Sequence, residues 1–285
     1  MALVPLHGML QDARRGGYAV GAFNVVNLEF LEAIIETAET KRSPVILSIA
    51  EAHFPYVNLD NVCPLIVDTA RRSAAPVALH LDHGVSDGAF LQAVRHGFTS
   101  VMFDGSKLSF EDNVAKTRQV IEICRPLGIS VEAELGAVGG DEGDALGGLA
   151  DPSLFTDPPL AKTFVEQTGV DALAVAIGNV HGKYRGEPQL DFARLERINE
   201  LCGVPLVLHG GSGISEADFR RAISLGIAKI NFYTGMSQAA LAAASAFLTD
   251  GRRSDYPLLM QAMKRAVAET VAEQMRVFGS VGKAV

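Results

Sequence analysis

The chain lacks the features that mark secreted, membrane-bound and nucleic-acid-binding proteins. Only three cysteines, Cys63, Cys124 and Cys202, occur in 285 residues, and no two form a CxxC pair. A disulfide framework is thereby excluded, and buried thiols without chemistry are expected. The longest apolar stretch, the alanine-rich run 239–248, is too short for a helix that must cross a bilayer, which takes about 20 residues. The opening Met1-Ala2-Leu3-Val4-Pro5 shows no basic region ahead of an apolar one, so a cytoplasmic protein with no membrane partner is expected. Basic residues are in the minority, with 25 Lys and Arg against 33 Asp and Glu and a net charge of −8. That balance argues against a nucleic-acid partner, yet leaves room for a local site that takes a phosphorylated metabolite.

Apolar side chains and glycine are abundant. The hydrophobic fraction is 48% and there are 28 glycines, against a usual glycine content of about 7%. Candidate strands fall at 21–25, 44–50, 77–82, 100–104, 130–135, 172–178, 205–209 and 229–232. Most are continuously apolar, the pattern of parallel strands covered on both faces. Helical patterns lie between them at 28–40, 61–73, 87–96, 110–124, 159–168, 191–201 and 216–225, with Asn27 and Ser215 placed as N-caps. One more helix is expected at 5–15, and two follow the last strand at 236–248 and 256–277. Strand and helix alternate eight times, which predicts an α/β fold, a (β/α)8 TIM barrel with additional N-terminal and C-terminal helices. A doubly wound open sheet is the alternative. No composition break marks a linker, so one barrel domain over residues 1–285 is expected. The longest irregular segment, 136–158, carries six glycines and would sit on the catalytic rim.

Polar residues gather where strands end. His80-Leu81-Asp82-His83-Gly84 closes the third strand, and Asp104-Gly105-Ser106 the fourth. Glu132 and Glu134 lie in the fifth; Asn179-Val180-His181-Gly182 follows the sixth; His209-Gly210-Gly211-Ser212-Gly213 ends the seventh; Asn231-Phe232-Tyr233-Thr234-Gly235 ends the eighth. In a parallel barrel these ends share one face, where barrel enzymes place their chemistry. Three imidazoles there, His83, His181 and His209, suit a catalytic Zn²⁺ with an open position. Asp104 and Glu134 suit a second cation or the orientation of the site. His80, on the same side of its strand as Asp82, suits support of the metal site. His7, His53 and His96 lack such company and are expected at the surface. The glycine-rich loops after the seventh and eighth strands, together with Gly182-Lys183, offer backbone N–H groups and helix N-termini to a phosphate.

Taken together, Gly21-Ala22-Phe23-Asn24-Val25, Leu79-His80-Leu81-Asp82-His83-Gly84, Glu132-Ala133-Glu134-Leu135-Gly136, His181-Gly182 and His209-Gly210-Gly211-Ser212-Gly213 resemble the class II, metal-dependent fructose/tagatose-bisphosphate aldolase family. The likeness runs from about residue 3 to Phe278-Gly279-Ser280, and the shorter, tagatose-type branch is nearest in length. The resemblance implies Zn²⁺ on His83, His181 and His209, with Asp104 and Glu134 at an alternate or second metal site. It implies Asp82 as proton donor and acceptor at the C4 hydroxyl, and Glu142 as a loop acid in proton transfer. Gly182, Gly210, Gly211, Ser212, Asn231, Phe232, Tyr233 and Thr234 would form the cradle for dihydroxyacetone phosphate, with Asn24 and Ser48 facing substrate. The family also implies a monovalent cation (Na⁺ or K⁺) near the phosphate, and a homodimer or homotetramer. In retro-aldol cleavage Zn²⁺ would stabilise the charge that collects on the former C2 carbonyl while Asp82 takes the C4 hydroxyl proton.

Two departures stand out. Family members have smaller residues after the eighth-strand Asn than Phe232 and Tyr233, and an acid after Thr234 where this chain has Gly235. Fructose-bisphosphate members carry a basic residue for the distal phosphate near the position of Pro257, with Arg252 and Arg253 a few residues earlier. The expected activity is therefore zinc-dependent cleavage of a ketose 1-phosphate or 1,6-bisphosphate to dihydroxyacetone phosphate and an aldehyde such as glyceraldehyde 3-phosphate. The rivals are cleavage of another phosphorylated keto-sugar or a deoxy-ketogluconate phosphate, a metal-dependent sugar-phosphate epimerase, and a non-catalytic sugar-phosphate sensor. An imine mechanism through Lys107 or Lys229 lacks a context that would lower either pKa.

Overall fold

Strands β1 (Val20–Asn24), β2 (Val45–Ala50), β3 (Val77–Gly84), β4 (Ser100–Phe103), β5 (Ser130–Leu135), β6 (Ala172–Val175), β7 (Leu206–Leu208) and β8 (Ile227–Phe232) are all parallel. β8 pairs with β1, so the sheet closes into a barrel in sequence order. This computed structural model describes residues 2–140, 150–182, 184, 186–250 and 255–284. Between the strands run α2 (Leu28–Lys41), α3 (Leu59–Arg72), α4 (Asp87–Arg95), α5 (Phe110–Cys124), α6 (Pro158–Thr168), α7 (Phe192–Cys202) and α8 (Glu216–Ser224). α1 (Leu6–Gly16) precedes β1, and α9 (Thr234–Thr249) and α10 (Tyr256–Val277) follow β8. The (β/α)8 barrel with extra terminal helices is thus the fold. Among the described residues no helix is long and apolar enough to cross a membrane.

Local chemistry starts these helices where the sequence places them. Asn27 accepts from Phe30 N, Ser86 from Ala89 N, Ser109 from Asp112 N and Ser215 from Asp218 N. Each cap satisfies one orphan donor and contributes about 1 kcal/mol. Pro257 sits in the first turn of α10, behind the N-cap Asp255, where a missing N–H has no cost.

The core has two layers. Val45, Leu47, Leu79, Leu81, Val101, Val131, Leu173 and Leu208 face the surrounding helices, in one cluster with Ile34, Ile66, Phe164, Leu195 and Val267. Ala22, Ile46, Ala78, Met102, Ala172, Ala174, Val207 and Ala228 fill the bottom of the lumen and pack against Leu6, Met9, Leu10 and Ala13 of α1. α1 therefore plugs the N-terminal mouth. Higher in the lumen the inward positions turn polar: Asn24, Ser48, His80, Asp82, Ser100, Glu132, Glu134, Lys229 and Asn231 are all buried.

Two register shifts break the strict in-and-out alternation. Opposite β4, Leu81 pairs with Val101 but Gly84 with Phe103, so β3 holds one extra residue there. His83 takes up the kink with a φ of 47°, a conformation uncommon for a residue with a side chain. Opposite β7, Leu206 pairs with Ile227 but Val207 with Lys229, which leaves Ala228 extra in β8. As a result Asp82 and His83 both serve the site, and Ala228 and Lys229 both lie on the lumen side.

Candidate active site

His83 and His209 meet through His83 Nε2 and His209 Nδ1, 2.8 Å apart. The His181 ring centroid lies 4.8 Å from that of His83 and 5.8 Å from that of His209. Ligand nitrogens of the three fall within 4.8 Å of one another, and His83, Asp104 and Glu134 form a second such group. The outer nitrogens are already committed. Asp104 Oδ2 accepts from His83 Nδ1 at 2.8 Å, and Glu132 Oε1 accepts from His209 Nε2 at 2.9 Å. With those protons placed, two imidazole lone pairs face each other across a short gap, which a shared cation would resolve. Glu134 Oε2 is buried without a hydrogen-bond partner and lies 4.0 Å from His209 Nδ1. Nitrogen and carboxylate donors of this kind fit Zn²⁺.

The backbone that carries these groups is braced. Asn179 Nδ2 donates to the His209 carbonyl at 3.0 Å and its Oδ1 accepts from Ile177 N. Tyr184 Oη donates to the Gly210 carbonyl at 3.0 Å and accepts from Val180 N. His181 N donates to Gly139 O at 2.8 Å, tying the chain after β5 to the one after β6. Gly210 has a φ of 65°, and a Cβ there would lie 2.0 Å from the Val180 carbonyl oxygen, so only glycine fits.

Asp82 is fully buried beside the cluster. Its Oδ1 accepts from Asn231 Nδ2 at 2.8 Å, and Asn24 Nδ2 stands 3.4 Å from Oδ2. Burial opposes ionisation, but His83 and Lys229 outweigh it and hold the carboxyl far below the usual range. Asp104 is likewise held low, burial being outweighed by the hydrogen bond from His83. Glu134 goes the other way: burial, reinforced by Asp104, pushes it up to about 8. Ser48 is paired in register with Asn24 on one side and His80 on the other, and its hydroxyl is buried without a hydrogen-bond partner.

A neighbouring concave pocket is lined by His181, Gly182, Gly210, Gly211, Ser212, Asn231, Tyr233 and Thr234. α9 begins at its edge without a side-chain cap of its own, and Gly235 N donates to Ser212 Oγ at 3.0 Å. Such a helix start faces an anion favourably. Phe232 packs edge-on against Phe23 at 6.4 Å and lines an adjoining cleft with Gly182, Ser212 and Thr234, while Tyr233 lines the pocket. Glu142, Lys183, Arg252 and Arg253 lie outside the described residues.

Two surface expectations fail, those for His53 and for His96, whose side chain is only 8% exposed, and two groups were missed. His53 is not at the surface; it is buried, with its ring 4.7 Å from that of Tyr233. A 3-10 turn, Glu51–His53, folds over the barrel mouth, anchored where the Glu51 carboxylate accepts from Val85 N at 2.7 Å and Ser86 N at 3.2 Å. Lys229 is no candidate for an imine, because it is fully buried in an ion pair with Glu132. Glu132 itself received no role from the sequence. Its burial would raise its pKa, but Lys229 and the hydrogen bond from His209 bring it down to about 2. The alternation of Glu132 with Glu134, and of Lys229 with Asn231, was the available signal, since charges two apart on a buried strand share the lumen side.

Metal-free protein is expected to be most stable near neutral pH. Burial first, then cationic neighbours, lowers His80 to about 3 and also lowers His181 and His209 from 6.5. These groups stay neutral when folded, so their contribution is present above pH 6.5 and is lost as pH falls below it. Glu134 has the opposite sign: its contribution is present in acid and is lost as pH rises through about 8. Urea unfolding in chelator between pH 5 and 9 is expected to peak between about 6.5 and 8; a flat profile would show that these groups do not govern stability.

Fold and site together define a (β/α)8 barrel with a cluster of residues that could hold a cation on its C-terminal rim. The chain belongs to the class II fructose-bisphosphate aldolase family, whose model matches residues 4–283, and it is accordingly a lyase of the aldolase type. It is 45% identical to a fructose-bisphosphate aldolase of Geobacillus stearothermophilus, covering 100% of this chain and 99% of that one. It is 43% identical to a probable fructose-bisphosphate aldolase of Bacillus subtilis strain 168 over the whole of both chains. The crystal structure of the YdjI aldolase from Escherichia coli K12 superposes with a TM-score of 0.89 at 40% identity, covering 99% of this chain and 100% of that one.

Proposed function

We propose that the enzyme is a zinc-dependent aldolase that cleaves a ketose 1-phosphate or 1,6-bisphosphate, reversibly, to dihydroxyacetone phosphate and an aldehyde such as glyceraldehyde 3-phosphate. The observation that carries this reading is the meeting of three imidazoles beside the buried carboxyl of Asp82. His83, His181 and His209 hold the cation, with Asp104 orienting His83 and Glu134 within reach of the same centre. Bound there, Zn²⁺ supplies a Lewis acid for the charge that builds at the substrate's C2 oxygen.

The remaining steps belong to the protein. Asn231 and Asn24 hold the Asp82 carboxylate with its charge intact. The C4 hydroxyl proton passes to Asp82 as the C3–C4 bond breaks and C4 becomes an aldehyde carbonyl; in the reverse direction Asp82 returns it. The loops at Gly182, Gly210–Ser212 and Asn231–Thr234, with the α9 N-terminus, take the phosphate next to C1. Glu142 is the acid proposed for proton exchange at C3. A panel of phosphorylated ketoses and a phosphorylated deoxy-ketogluconate, each scored for its cleavage products, tests the reading. Dihydroxyacetone phosphate from at least one ketose phosphate is expected. Epimerised substrate without cleavage would replace it with the epimerase reading.

A further inference from the structure

Beneath the three imidazoles lies an ionic layer that the proposed aldol chemistry does not touch. Lys229, Glu132 and His80 are all fully buried. Lys229 Nζ stands 2.8 and 3.0 Å from the two oxygens of Glu132 and 3.1 Å from His80 Nε2. Those contacts use all three N–H bonds of an ammonium group. His80 Nε2 therefore accepts, and His80 Nδ1 donates to Ser100 Oγ at 2.9 Å. The carboxylate, gripped at both oxygens, also accepts from His209 Nε2 at 2.9 Å. Glu132 has no proton to give, so His209 must carry its own on Nε2, which leaves the Nδ1 lone pair directed at His83 Nε2, 2.8 Å away.

A buried ion pair contributes little net stability that well-packed apolar side chains would not also supply. What this one supplies is a fixed acceptor at a defined point. The β8 bulge at Ala228 is the device that brings Lys229 onto the lumen side to hold it. We propose that Lys229 and Glu132 are positioning residues that select the Nε2–H tautomer of His209, and so set the affinity of the three-histidine cluster for a divalent cation. The outer hydrogen bond of a metal-ligating imidazole fixes ring and tautomer, and its loss weakens metal binding by about 10–100-fold. This inference rests on the proposed cation site.

Two measurements test it, with Zn²⁺ alone as the probe. In ¹⁵N-histidine-labelled, metal-free wild-type protein at neutral pH, long-range ¹H–¹⁵N spectra, assigned with His209→Gln, are expected to show His209 as the Nε2–H tautomer. An Nδ1–H tautomer overturns the proposal whether or not any variant folds. The paired substitution Lys229→Met/Glu132→Met removes both charges together, which avoids stranding either one. Where it keeps the wild-type circular dichroism and a cooperative unfolding transition, its Zn²⁺ affinity, measured by chelator competition, is expected to fall about 10–100-fold. Wild-type affinity in the folded pair shows a filling role only and overturns the proposal. Wild-type protein that binds no Zn²⁺ instead removes the cation site itself, so the two failures are told apart.

Discussion

Chelation is expected to abolish turnover, and Zn²⁺ to restore it. Loss of a Lewis acid that contributes several kcal/mol to the transition state lowers the rate by about a thousand-fold or more. No described group replaces it, because the cationic side chain nearest the cluster, Lys229, is committed to Glu132 and His80. His181→Ala is expected to give the same result by substitution. Its imidazole meets the other two rings and is not the one bound to Glu132 or Asp104, so the networks beneath survive. Metal analysis and initial rates check both forms; full activity in metal-stripped enzyme would refute the zinc mechanism.

Asp82→Ala is expected to lower kcat by about 10²–10⁴-fold, the usual contribution of a positioned proton-transfer group, with Zn²⁺ binding by the three imidazoles retained. Asp82 is not one of the cluster's ligands, which lets the two functions separate. Removing it leaves Asn231 Nδ2 and Asn24 Nδ2 without their acceptor, so some loss of stability accompanies the loss of rate. Metal content and steady-state rates decide the case. A variant with full Zn²⁺ and near-normal cleavage would move proton transfer to another group, and a surviving epimerisation would favour the rival reading.

Much of the barrel was legible in sequence because its strands carry a strong, simple signal. β5 and α5 fall on their expected boundaries, and Asn27 and Ser215 cap as read. Misplaced ends have local causes. β6 stops at Val175 rather than Gly178 because Ile177 N turns to the Asn179 side chain instead of a strand. β3 runs on to Gly84 because its bulge resumes pairing with β4 there. The histidine cluster was readable from residue type at strand ends. Glu132 and Lys229 showed only as charges on the lumen side, since the role of a charge inside an apolar strand emerges only once its partner from across the barrel is known. His53 was misread for the same reason: its burial comes from a turn held by Glu51, not from its own neighbours in sequence.

The α1 plug has a consequence for how the enzyme works as a vessel. With Leu6, Leu10 and Ala13 packed under the lumen, the polar layer has a floor as well as walls. Among the described residues the lumen is closed below, so the polar layer opens toward the mouth at the C-terminal rim. A substrate lying across that mouth acts as its own stopper, expelling solvent from the chamber while it is bound. On the proposed reading, the fields of Asp82, of a cation held by the histidines and of the Lys229–Glu132 pair would then be felt at low dielectric while substrate is bound.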